Sequence, residues 1–177
     1  PKTSSAASDV YKRQLYDGGV KRRLFTKTEA ERKFDLVSPA ASPVPLNRAD
    51  LVIEAAVENL EIKKKIFADL CAQTRHDTVL ATNTSALPIG DLAQADDIIN
   101  PERVVGIHFF NPVHRMKLVE IVVAEQTSPE TVETALAFVK AIGKMPVVVK
   151  DSPGFLVNRI LMPYLIEAGR LFDIGVD

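Results

Sequence analysis

Cysteine is nearly absent from this chain. Cys71 is the single one in 177 residues. A lone thiol excludes an intrachain disulfide and a cysteine-ligated metal cluster, and it fits a reducing, cytoplasmic setting. An excess of either charge is lacking too. Lys and Arg total 22 and Asp and Glu 23, a net charge of −1, so bulk electrostatics give no footprint for nucleic acid or an anionic membrane surface. No apolar run approaches the ~18 residues of a membrane span. The opening "PKTSSAASDVYKRQ" shows no helical or alternating pattern and no signal-peptide core, and residues 1–19 are expected to be a disordered or non-native leader.

What is present is a run of segments that change period. Hydrophobic residues make up 46% and charged residues 25%, which places the chain among globular domains. "TKTEAERKFD" (26–35) offers Thr28 with Glu31 three later, a capping-box spacing that predicts a short helix. Three prolines in "VSPAASPVPLN" (37–47) predict an irregular connection. After it, five short runs rich in branched residues read as buried strands: 49–57, 78–84, 103–110, 117–124 and 145–151. Between them lie helical patterns. Ile62, Ile66, Phe67, Leu70 and Cys71 form one stripe over 59–73, and "ALPIGDLAQA" predicts a short helix. The segment 127–143 has Ser128 to cap it, Pro129 for its first position and Gly143 for its end.

Strands alternating with helices predict an α/β domain. A boundary is expected at 151–153, because "PGFLVNRILMPYLIEAGRLFD" is too apolar for an outer helix of the sheet. It reads as the start of a helical domain over 152–177.

One segment carries chemistry. In "GIHFFNPVHRMKLVEIV" a histidine and a glutamate stand on either side of a proline-containing break. If the two strands pair antiparallel about His114, His108 and Glu120 are directly opposed, with Cβ atoms ~4.5–5.5 Å apart. The carboxylate would then fix the imidazole tautomer and leave the other ring nitrogen as a base. The competing reading is a structural pair that satisfies itself at a sheet edge. Spacing alone leaves both open.

The wording around the pair narrows the choice. "GIHFFNPVHRMKLVEIV", "ADLVIEAAVENLEIKKKIF", "TNTSALPI" and "DSPGFLVNRI" together resemble the 3-hydroxyacyl-CoA dehydrogenase family. The resemblance covers roughly residues 20–177, and "VKRRLFTKTEAERKFDLVSP" is most like the versions in multifunctional fatty-acid-oxidation enzymes. It implies a partial Rossmann-like NAD-binding domain over 20–151, its sheet mostly parallel with antiparallel final strands. It also implies oxidation of L-3-hydroxyacyl-CoA to 3-ketoacyl-CoA with NAD in fatty-acid β-oxidation. The full-length protein would be a homodimer or part of a multienzyme complex.

By the same resemblance His108 is the general base and Glu120 its orienting partner. Asn158 is similar to the substrate-carbonyl contact, and Ser85 to a serine touching substrate and cofactor. Glu58 and Lys63 match positions on the nicotinamide–ribose side, and Asn111 matches an asparagine of the active-site shell. Each has a plainer reading: Ser85 as a helix cap, Glu58 and Lys63 as solvated surface, Asn158 bonded to backbone, Asn111 as a turn residue before proline.

The resemblance is incomplete. No G-x-G-x-x-G occurs in the chain, although that loop cradles the dinucleotide pyrophosphate. The chain is therefore expected to be truncated at both ends, with an unpaired sheet edge and an uncovered apolar helix, and inactive alone. A non-catalytic module of the same descent, binding acyl-CoA or a partner, is the alternative from another class. A related hydroxy-acid dehydrogenase with a different substrate is a third.

Overall fold

The structure is a computed structural model, and it describes residues 4–36, 40, 44–95, 98 and 100–176, with side chains from Lys12 onward. The chain divides into two compact units, Pro1–Pro45 and Leu46–Asp177.

The first unit holds two helices, α1 (Ser4–Lys21) and α2 (Lys27–Asp35). The backbone is helical from Ser4, within the span 1–19 expected to be a disordered or non-native leader. Tyr16 of α1 meets the rings of Phe25 and Phe34 edge-on at 6.0 and 6.3 Å. The capping box of α2 is also two residues earlier than expected. Thr26 accepts from the Glu29 amide at 3.2 Å, and Glu29 Oε2 accepts from the Thr26 amide at 2.7 Å. The irregular segment expected over 37–47 lies largely outside the described residues.

The second unit contains a five-stranded sheet in the order β1 (Leu51–Glu54), β2 (Val79–Thr82), β3 (Val104–Phe109), β4 (Leu118–Val123) and β5 (Met145–Lys150). β1, β2 and β3 are parallel, β4 runs against β3, and β5 is parallel to β4. Both final strands therefore oppose the first three. The helices are α3 (Leu60–Gln73), α4 (Ile89–Ala93), α5 (Pro129–Ala141) and α6 (Val157–Asp173). Ser128 caps α5 by accepting from the Thr131 amide at 3.2 Å, behind Pro129 at its first turn.

Strand residues alternate between two cores, as period-2 geometry requires. Leu80, Val104 and Val122 pack with Phe67, Ile89 and Phe155 on one face. Val105, Ile107, Val119 and Ile121 pack with Ala135 and Val139 of α5 on the other. Burying each such aliphatic side chain is worth about 1.5–3 kcal/mol. A one-residue slip of β3 would exchange the faces, so the register is strongly held.

Gly106 is fixed by the first face. It lies opposite Val122, and a Cβ there would fall 2.7 Å from the Val122 Cβ and 3.0 Å from the Ile89 Cδ1. His108 and Glu120 share this face by the same alternation. In α6 none of the described residues is buried, and Ile160, Tyr164 and Phe172 stand largely exposed.

Candidate active site

The antiparallel ladder pairs His108 of β3 directly with Glu120 of β4, the opposition that the spacing about His114 suggests. Imidazole Nδ1 and Glu120 Oε2 are 2.7 Å apart. β3 is the central strand, so the pair is not a sheet-edge ornament. Both residues are buried, His108 at 4% exposure and Glu120 at 0%.

A desolvated carboxylate is costly unless its lone pairs are used, and the second oxygen is used as well. Glu120 Oε1 accepts from the amides of Leu156 at 3.0 Å and Val157 at 2.8 Å. These belong to the N-terminus of α6, where helix amides lack intrahelical partners and the helix dipole favours an anion. With the carboxylate facing Nδ1, the neutral imidazole carries its proton there. Nε2 keeps the lone pair that a base needs.

Asn158 is the next residue along α6, and its Nδ2 donates to the Ser85 carbonyl at 3.4 Å. The first turn of α6 thereby meets the loop after β2. Ser85 itself is exposed and does not cap α4, whose first turn is preceded by Pro88 without a side-chain cap. Asn83 ties that loop to the histidine strand: its Oδ1 accepts from the Phe109 amide at 3.0 Å, one step past the ladder. Asn111 stands exposed in the connection between β3 and β4, at a cis bond to Pro112.

Glu58 and Lys63 behave differently from each other. Glu58 follows β1, and its side chain is 43% exposed. Its Oε1 accepts from the Thr84 hydroxyl and, at 3.0 Å, from the Ser85 amide. Desolvation pushes the Glu58 carboxyl up, but hydrogen bonds from Thr84, Ser85 and Ala86 and the Lys63 charge outweigh it and hold the carboxyl below its usual range. Lys63 is 1% exposed, which corrects its reading as solvated surface. Its ammonium lies 2.8 Å from both oxygens of Glu54 and 3.7 Å from Glu58.

Glu54 escapes a reading of the sequence, although it ends an apolar strand nine residues before that lysine. Its carboxylate also accepts from the Ala56 amide and, at 2.8 Å, from the Thr82 hydroxyl. The signal was present in "LVIEAAV", where one charge interrupts a run bound for burial.

The arrangement sits at the carboxyl ends of β1, β2 and β3, where open α/β sheets place ligands. It offers one buried imidazole, one partly exposed carboxylate held below its usual range and one exposed hydroxyl. That donor set fits a dinucleotide ribose beside an alcohol substrate. Among the described residues no helix is long and apolar enough to cross a membrane.

The chain is similar to known proteins over most of its length. The sequence profile of the 3-hydroxyacyl-CoA dehydrogenase NAD-binding domain matches residues 2–152. The fatty acid oxidation complex subunit alpha of Vibrio vulnificus (strain CMCP6) is 43% identical over 161 residues, which is 91% of this chain and 23% of that relative. The same subunit from Shewanella oneidensis is 43% identical over 172 residues, 97% of this chain and 24% of the relative. The chain thus spans about a quarter of the length of these curated relatives.

Among solved structures, the 3-hydroxybutyryl-CoA dehydrogenase of Escherichia coli K12 superposes with a TM-score of 0.90 at 39% identity, over 100% of this chain and 38% of that one. The (S)-3-hydroxybutyryl-CoA dehydrogenase of Ralstonia eutropha gives 0.92 at 33% identity, over 100% of this chain and 62% of that one. An α/β sheet of this order, a histidine–glutamate pair at its ligand-bearing end and a profile match over most of the chain lead to one assignment: the chain belongs to the 3-hydroxyacyl-CoA dehydrogenase family, to its NAD-binding domain.

Proposed function

We propose that this chain supplies the base-bearing half of an NAD-dependent site that oxidises L-3-hydroxyacyl-CoA to 3-ketoacyl-CoA in fatty-acid β-oxidation. The observation that carries the reading is the buried His108–Glu120 pair, with Glu120 anchored by the first turn of α6. NAD, when bound, accepts hydride from C3 of the substrate.

The residues do the rest. His108 takes the 3-hydroxyl proton on Nε2 as the C3–O bond becomes a carbonyl, and Glu120 stabilises the imidazolium that forms. Asn158 and Ser85, joined at the mouth of the pair, orient the substrate. Glu58, held ionised, accepts a ribose hydroxyl. Lys63 acts from behind it by keeping Glu58 in place, and Asn111 lines the exposed rim.

The 177 residues contain no G-x-G-x-x-G. By themselves they have no loop to cradle the pyrophosphate, and the isolated chain is expected to turn over slowly or not at all. In the fatty acid oxidation setting of its curated relatives the chain would work within a multienzyme complex, in the cytoplasm.

The test is NADH absorbance with NAD and L-3-hydroxybutyryl-CoA. It compares the chain alone with a fusion carrying the glycine-loop strand and helix of a related dehydrogenase. NADH formation by the fusion, abolished by His108→Ala, is the expected result. A folded fusion that binds NAD and ignores His108→Ala would refute the reading.

A further inference from the structure

The turn between β5 and α6 is strained at two successive residues. Gly154 has φ +75° and Phe155 has φ +49°. The left-handed region suits glycine, while a bulky L-residue avoids it. Outliers of this kind persist where the surrounding structure over-determines them, and they cluster at functional sites. Gly154 is irreplaceable on two counts, since a Cβ there would also come within 3.2 Å of the Arg159 amide. Glycine at 155 would relieve the second strain, yet the position holds a phenylalanine that is 3% exposed.

Two contacts account for it. The Phe155 ring lies 5.6 Å from the His108 imidazole, edge-on at 62°, and Phe110 supplies a second ring at 4.6 Å. The next two amides along the chain, Leu156 and Val157, are the ones that hold Glu120. The charged group bonded to the imidazole is Glu120 of β4. One strained turn therefore sets two of the histidine's three neighbours, Phe155 and Glu120.

We propose that Phe155 is a positioning residue for His108: its ring fixes the imidazole plane, and its left-handed backbone aims the α6 amides at Glu120. The proposal rests on His108 as the base of the site, but its test does not use turnover. Nitrogen-15 NMR on the 177-residue chain, following the ring signals of His108, reads the tautomer directly.

In Phe155→Leu and Phe155→Ala the fixed Nδ1–H tautomer is expected to become a mixture. Phe67→Leu is the control, because Phe67 is another phenylalanine of the same core, 0% exposed. It should lower the thermal midpoint and leave the His108 signals unchanged. Circular dichroism identifies which variants fold, and Phe155→Leu carries the test if Phe155→Ala does not.

A wild-type tautomer in folded Phe155→Leu would overturn the proposal. An equal change in Phe67→Leu would overturn it as well, since the effect would then be general loosening. Should His108 not be the base, the tautomer change in the Phe155 variants would still appear while NADH formation by the fusion ignored His108→Ala, so the two failures are distinguishable.

Discussion

Glu54 and Glu120 are both strand carboxylates buried in one sheet, 5% and 0% exposed, yet they serve different ends. Glu54 on β1 faces an ammonium at 2.8 Å through both oxygens. A carboxylate and an ammonium form a fixed ion pair. Glu120 on β4 faces an imidazole at 2.7 Å, a group that exchanges protons near neutral pH. Burial of a carboxylate therefore does not mark the chemistry. The partner does, together with what else the carboxylate accepts from: a side-chain hydroxyl and a nearby amide for Glu54, the start of a helix for Glu120.

Breaking each pair should separate the two roles. The largest loss of stability is expected for Lys63→Ala, which strands the Glu54 charge in the interior at a cost of about 3–5 kcal/mol. Replacing both partners with apolar residues, Lys63→Met with Glu54→Leu, should recover most of it. Urea denaturation of Lys63→Met, Glu54→Leu and the double closes the cycle, and a single variant as stable as wild type would remove Glu54 from the structural account.

Gly106→Ala comes next, at about 1–3 kcal/mol, because the added methyl meets Val122 across the ladder. Its thermal midpoint should fall without any change in sheet content.

Glu120→Gln should cost less stability, about 1 kcal/mol, since the amide oxygen can still accept from α6. Its NH2, however, would face Nδ1 and drive the ring proton to Nε2. NADH formation by the fusion should then fall ~10²–10⁴-fold with the fold intact.

The smallest effect belongs to Glu58→Gln. The carboxyl is depressed in the folded chain, so its contribution is present above the unfolded value and is lost as pH falls through the lower folded one. Exposure limits that contribution to under about 1 kcal/mol at neutral pH. The gap between wild type and variant should close on acidification below about pH 4, as read by denaturation at several pH values. A gap that widened there would reverse the sign argued for Glu58.

Much of this was legible in the residues. The alternation of short branched runs with helical stripes gives the five strands in order, and the symmetry of His108 and Glu120 about His114 gives their register. Ser128, Pro129 and the following helix behave as their types require. Other features were hidden for physical reasons. "TKTEAE" contains two overlapping boxes, Thr26 with Glu29 and Thr28 with Glu31, and spacing cannot choose between them. On α3 the inward face is turned so that Ile62 is 43% exposed and Lys63 is buried. That rotation follows from Glu54, a tertiary partner with no local mark on the helix. The strained Phe155 has no signature beyond the glycine before it, because φ depends on where the chain must go next.

The central claim is that Glu120 holds His108 with its proton on Nδ1 and a bare Nε2 toward the ligand side. Nitrogen-15 NMR of His108 in the unmodified chain at neutral pH measures this directly. The account predicts a protonated Nδ1 and a lone-pair Nε2 signal in one dominant tautomer. A proton resident on Nε2 would contradict it and leave the site without its base.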